Sequence, residues 1–167
     1  MPPAHASLLG VNTIQKSYVG AESTRRRPRC LKRVAAGRPN RVWLVDDDES
    51  VRAVLARLLN SNKDIECTRE FSSPGALLAS LTREIAPDTI LLDVHLGDQN
   101  GIHFIQPIKM LAPASRVLVL TTFFDSECQS RALQAGASDF VTKHAGLDEL
   151  VSRITSHRPS PDCACVG

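Results

Sequence analysis

Four consecutive apolar residues, Val42-Trp43-Leu44-Val45, run straight into three acids, Asp46-Asp47-Asp48. A continuous apolar run this short is the signature of a parallel strand buried on both faces, and such a strand can be reached only through helical crossovers. The same arrangement returns at Ile90-Leu91-Leu92-Asp93 and, with hydroxyls in place of the acids, at Val117-Leu118-Val119-Leu120-Thr121. Between these runs the apolar period changes. Val51, Val54, Leu55, Leu58 and Leu59 stand at the i, i+3, i+4, i+7, i+8 positions of one helix face, with Asp48, Glu49 or Ser50 available as its cap.

The rest of the chain repeats the alternation. Ile65, Cys67, Arg69 and Phe71 alternate with polar residues, which predicts a half-covered edge strand with those four on one face. Ala76 to Leu81 reads as a short helix and Thr89 to Asp93 as a strand. The helical pattern through Ile102, Ile105, Ile108 and Met110 is interrupted by Pro107, which costs about 3 kcal/mol inside a helix and predicts a kink or break. A strand over Arg116 to Thr121 follows, then a helix over Ser126 to Ala135 stopped by Gly136, a short strand over Ser138 to Thr142, and a helix over Leu147 to Ser156 that turns Leu147, Leu150, Val151 and Ile154 inward. Five strand and helix pairs with short connections and right-handed crossovers give an α/β fold, a doubly wound five-stranded parallel sheet with helices on both faces.

Charge divides the chain. Residues 1–41 hold nine Lys or Arg against one Glu, about +8, and the remainder carries about −6. Residues 1–40 are expected to be a disordered basic arm, 41–157 one globular domain and 158–167 a flexible tail. The arm offers nucleic acid or another anionic surface a contact, with a solvated tail as the plainer reading. Five cysteines without a C-x-x-C pair suggest neither a disulfide framework nor a zinc site, and so a reducing, cytoplasmic setting. No apolar run approaches the roughly 20 residues of a membrane span.

Ligands of doubly wound sheets collect beyond the carboxyl ends of the strands. There the chain places Asp46-Asp47-Asp48, Asp93, Thr121-Thr122 and Lys143-His144. Two carboxylates about 5 Å apart repel by about 3 kcal/mol at an effective dielectric of 20, so a proton or a cation is expected between them. Oxygen ligands of this kind suit Mg²⁺. Asp93 is then a candidate acceptor of a phosphoryl group, Lys143 a counter-charge for a phosphoryl oxygen and Thr121 a donor to another.

Val45-Asp46-Asp47-Asp48, Leu91-Leu92-Asp93-Val94-x-Leu96 with Gly101, Leu120-Thr121-Thr122, and Ala135-Gly-Ala-Ser-Asp-Phe-Val-x-Lys143 together resemble the receiver domain of bacterial two-component response regulators over about residues 40–157. The resemblance implies a flavodoxin-like strand order 2-1-3-4-5 and phosphorylation of Asp93 by a histidine kinase. It also implies Mg²⁺ held by Asp46, Asp47, Asp93 and the backbone carbonyl of His95, and a switch through Thr121 and Phe140. His144 stands where many members carry Pro. The expected function is that of a phosphoacceptor signalling module, not an enzyme, that acts on a separate output protein or by homodimerisation, since no output domain is expected in the chain. An aspartyl-phosphate phosphatase or phosphotransferase is the alternative from a second class. It commonly carries another acid two residues after the nucleophile, where this chain has His95. A DNA-associated regulator using the basic arm is a third reading, and a flavin-binding relative of the same topology a weaker fourth.

Overall fold

A computed structural model describes residues 38–156; the expectations for the basic arm up to residue 37 and for the tail from residue 157 lie outside the described residues. The strands are β1 (Asn40–Val45), β2 (Ile65–Phe71), β3 (Thr89–Asp93), β4 (His95–Leu96), β5 (Gln99–Asn100), β6 (Arg116–Thr121) and β7 (Asp139–Thr142). The helices are α1 (Glu49–Asn60), α2 (Pro74–Leu81), α3 (Ile105–Leu111), α4 (Ser126–Gln134) and α5 (Leu147–Thr155), with a 3₁₀ turn over Gly101–Phe104 ahead of α3. The five long strands form one parallel sheet in the order β2-β1-β3-β6-β7. This is the 2-1-3-4-5 order once the two-residue strands β4 and β5, which pair only with each other, are set aside.

The continuous apolar runs are explained by two cores, one on each face. Val42 and Leu44 of β1 pack with Leu91, Leu118, Leu120, Leu59, Leu150 and Ile154 on the α1 and α5 side. Trp43 and Val45 pack with Ile90, Leu92, Leu77, Ile105 and Ile108 on the α2 and α3 side, where Trp43 also meets the Phe71 ring at a centroid distance of 5.3 Å. A strand buried on both sides cannot afford polar alternation.

Three expectations from the sequence change here. In β2 the residues 65, 67, 69 and 71 do not share a face, because the register to β1 jumps from Val42↔Cys67 to Trp43↔Arg69. Thr68 is the extra residue of a β-bulge, so Ile65 and Cys67 pack towards α1 and α5 while Phe71 packs on the opposite face. On α1, Val54 is 57% and Leu58 39% exposed, and the inner stripe is Leu55, Ala56 and Leu59. Pro107 breaks nothing in mid-helix: the break falls earlier, at the junction of the 3₁₀ turn with α3, and Pro107 becomes the third residue of α3, where its missing N–H has no intrahelical partner to lose.

Asp88 fixes the amino ends of the three central strands. Its carboxylate accepts from the Arg41 N–H (2.9 Å) and from the Arg38 guanidinium (2.6 and 2.7 Å), while its own N–H donates to Arg41 O and its carbonyl accepts from Arg116 N (2.9 Å each). Burial would raise the Asp88 carboxyl above its usual value of 3.8, but Arg38 and the Arg41 N–H outweigh it and hold the group lower. A lowered folded-state value stabilises the fold above pH 3.8, and that contribution fades as pH falls through the folded value. Asp88→Ala is expected to cost roughly 1–2 kcal/mol at neutral pH, mostly through the stranded Arg41 N–H because the Arg38 pair is largely exposed. Urea unfolding should show the gap between variant and parent narrowing below pH 3.8.

Candidate functional site

All parallel strands end on the same edge of the sheet, and the acids that follow β1 and β3 therefore meet. Asp46 is wholly buried, Asp93 is 3% exposed and Asp47 faces solvent. One carboxylate oxygen from each lies within 4.8 Å of the others. Asp46 Oδ1 accepts from the Asp48 N–H (3.0 Å), and Asp48 caps α1 by accepting from Ser50 N and Val51 N (2.8 and 3.1 Å). Asp47 Oδ2 accepts from the Gly97 N–H (3.0 Å) in the β4–β5 hairpin. Gly97 has φ 61°, a conformation that favours glycine.

Lys143 enters from the turn after β7, where its N–H donates to Thr121 O (2.6 Å) and Ala145 N donates to Thr142 O (3.0 Å). Its ammonium donates to Asp46 Oδ2 (2.6 Å) and Asp93 Oδ2 (2.7 Å), so one cation serves both buried acids. Burial raises the Asp93 carboxyl above its usual value, and Lys143 offsets this only in part. Burial would lower the Lys143 ammonium, yet the bonds to Asp46 and Asp93 win and raise it. His144 next to it is exposed.

Asp93 Oδ1 is buried and has no hydrogen-bond partner. An orphaned carboxylate oxygen among three acids is what a hard divalent cation would satisfy, so the donor set fits Mg²⁺. The backbone of His95 lies in the β4–β5 ladder opposite Asn100, its side chain exposed.

The side chains of Thr121 and Phe140 make no hydrogen bond to this cluster. The Thr121 hydroxyl donates to Phe123 O (3.0 Å) and not to Asp93. Phe140 is buried, its ring edge-on to Phe124 at 6.3 Å. Phe123 and Phe124 are 75% and 63% exposed, so the Thr121 hydroxyl is bonded into an exposed aromatic loop after β6.

Two participants escaped the sequence reading. Gly101 was visible only as part of a motif, yet a Cβ there would stand 2.0 Å from Asp93 O. Arg52 was hidden in α1, where its Nη1 donates to Asp46 O (2.7 Å) and Asp47 O (3.1 Å). A lone basic residue on the stripe 52, 55, 56, 59 was the available signal.

Residues 42–155 match the family model described as the response regulator receiver domain. Among curated proteins the chain is 37% identical over 120 residues to a protein-glutamate methylesterase/protein-glutamine glutaminase of Albidiferax ferrireducens, covering 68% of this chain and 32% of that protein. It is 36% identical over 118 residues to the DNA-binding transcriptional regulator NtrC of Klebsiella pneumoniae, covering 69% and 24%. The chain thus spans about a quarter to a third of the length of these two curated relatives. Among solved structures it superposes on a LuxR-family two-component response regulator from Aurantimonas sp. with TM-score 0.65, 32% identity and coverage of 74% and 91%. A response regulator from Burkholderia pseudomallei with a phosphorylated aspartic acid, calcium ion and citrate gives 0.64, 26%, 70% and 67%.

Proposed function

The chain belongs to the response regulator receiver family, and on that premise we propose that Asp93 is the phosphoacceptor, charged by a histidine kinase with Mg²⁺ bound at Asp46, Asp47, Asp93 and the His95 carbonyl. The observation that carries this reading is the meeting of Asp93 with two further carboxylates and the Lys143 ammonium, one Asp93 oxygen being left without a partner. The phosphorylated aspartic acid and calcium ion of the Burkholderia regulator support it.

In the transfer, an ionised Asp93 oxygen forms the new bond to phosphorus while the bond to the donor's leaving group breaks and its electron pair leaves with that group. A bound Mg²⁺ would supply positive charge for the incoming phosphoryl oxygens. Lys143, already on Asp93, is placed to follow a phosphoryl oxygen, and it releases Asp46 as it does so. Thr121 then exchanges its bond to Phe123 O for one to the phosphoryl group. That frees the loop carrying Phe123 and Phe124, and Phe140 transmits the change to the binding surface. The product is a protein with an altered surface for an output partner or a second copy. His95 in place of a second acid supports a switch over a turnover enzyme. No helix among the described residues is long and apolar enough to cross a membrane.

Incubation with acetyl phosphate and Mg²⁺ should add one phosphoryl mass to the parent and none to Asp93→Asn. Equal labelling of the variant would refute the assignment.

A further inference from the structure

We propose that Arg52 is a positioning residue for the divalent-cation pocket, holding the backbone carbonyls of Asp46 and Asp47 so that both carboxylates stay within reach of Asp93; this rests on the reading of the pocket given above. Arg52 Nη1 donates to two successive carbonyls, Asp46 O at 2.7 Å and Asp47 O at 3.1 Å. Those peptide units set the directions of the two side chains that carry the candidate ligands. The Asp46 N–H also ties the main chain to β2, donating to Phe71 O (3.1 Å), but no such main-chain bond among the described residues reaches Asp47. The side-chain restraints are Asp48 N–H on Asp46 Oδ1, Lys143 on Asp46 Oδ2 and Gly97 N–H on Asp47 Oδ2. Each of these grips a carboxylate oxygen that a cation would compete for. Arg52 grips the main chain and leaves the ligand oxygens free.

The position in α1 is also informative. Arg52 is half-buried at the head of the stripe that continues through Leu55, Ala56 and Leu59. Its charge is the second reason for a sharp test. A guanidinium beside a cation pocket repels the cation, so on Coulomb grounds alone its removal would tighten Mg²⁺ binding. If Arg52 acts by holding the carbonyls, its removal loosens Mg²⁺ binding. The two accounts differ in sign.

The experiment is a calorimetric Mg²⁺ titration of the full chain as parent, Arg52→Met, Arg52→Lys and, as a control on the exposed side of α1, Arg57→Met. Arg52→Met should weaken Mg²⁺ about tenfold or more, the range usual for loss of a group that orients a metal ligand. Arg52→Lys, whose ammonium can donate to both carbonyls, should recover most of that loss, and Arg57→Met should leave affinity unaltered. In the metal-free protein the Gly97 amide should lose exchange protection in Arg52→Met alone, because Asp47 no longer stays on it. Should Arg52→Met not fold, Arg52→Gln is expected to weaken Mg²⁺ severalfold. Equal or tighter Mg²⁺ binding in the folded Met or Gln variant overturns the role of Arg52 and leaves the pocket assignment standing. Absence of Mg²⁺ uptake by the parent overturns both.

Discussion

Replacing Lys143 by Met lowers the stability of the metal-free protein by about 3–5 kcal/mol, the usual cost of stripping one partner from a buried ion pair. The cost is large because the side chains of Asp46 and Asp93 are 0% and 4% exposed and share this single ammonium. Met preserves the length of the chain, so little packing is lost with the charge. The Lys143 ammonium is raised above its ordinary 10.5 in the fold. A raised cation stabilises fully below its unfolded value and ceases to do so as pH climbs through the folded one. The gap between parent and variant is therefore expected to narrow above pH 10.5, where the ammonium is lost, and also in acid, where protonation of the raised Asp93 carboxyl removes the unpaired charge from the variant. Denaturant midpoints at several pH values measure it. Adding Asp93→Asn to Lys143→Met should recover part of the loss, because the burial that raises the Asp93 carboxyl penalises only its charged form. Mg²⁺ should narrow the gap too, since loss of the Lys143 charge lets the cation bind the variant more tightly than the parent, and a ligand of the folded state stabilises according to its affinity. A Lys143→Met variant as stable as its parent in a chelator would remove the ammonium from any role in holding the acids together.

Gly101→Ala is expected to abolish phosphoryl uptake from acetyl phosphate and to cost roughly 3 kcal/mol of stability, the upper range for overpacking. The added Cβ would lie 2.0 Å from Asp93 O, 3.1 Å from Asp93 C and 3.4 Å from Val94 Cα, all of them main chain. No rotamer change can relieve such a contact. Either the 3₁₀ turn leaves its place, which pulls on Val94 O through the Gly101 N–H, or the peptide after Asp93 rotates, which turns the carboxylate away from Asp46 and Lys143. Gly101 N also donates to Val94 O at 2.8 Å, so the close approach is fixed from both ends. Gly97→Ala supplies the comparison: nothing lies within 4 Å of its Cβ, and only the positive φ is penalised, at about 1 kcal/mol. If the two variants lose equal stability and Gly101→Ala still accepts phosphate, the close approach at Gly101 is not what positions Asp93.

The two β1 faces show how much of the fold could be read directly. Val42-Trp43-Leu44-Val45 has no polar alternation because each face meets its own core, and the acid that ends the run marks the sheet edge where a site can form. β2 shows the opposite. Its alternation was plain, but the bulge at Thr68 reverses the faces midway, and a bulge depends on how two strands twist against each other. The exposed Val54 and Leu58 on α1 fail for a related reason: periodicity defines a stripe, whereas the packing partner defines which part of it is covered.

By itself the sequence determined the α/β alternation, the strand ends and the cast of Asp46, Asp47, Asp93 and Lys143, because apolar period and residue chemistry are local properties. The tertiary structure alone decided that one Lys143 ammonium serves two acids, that Thr121 is held by Phe123 O and stays off Asp93, and that Gly101 presses on the Asp93 carbonyl. Lys143 bonds Asp46 across 97 positions and Asp93 across 50. Such contacts are set by how strands pack side by side, and a linear pattern carries no record of them.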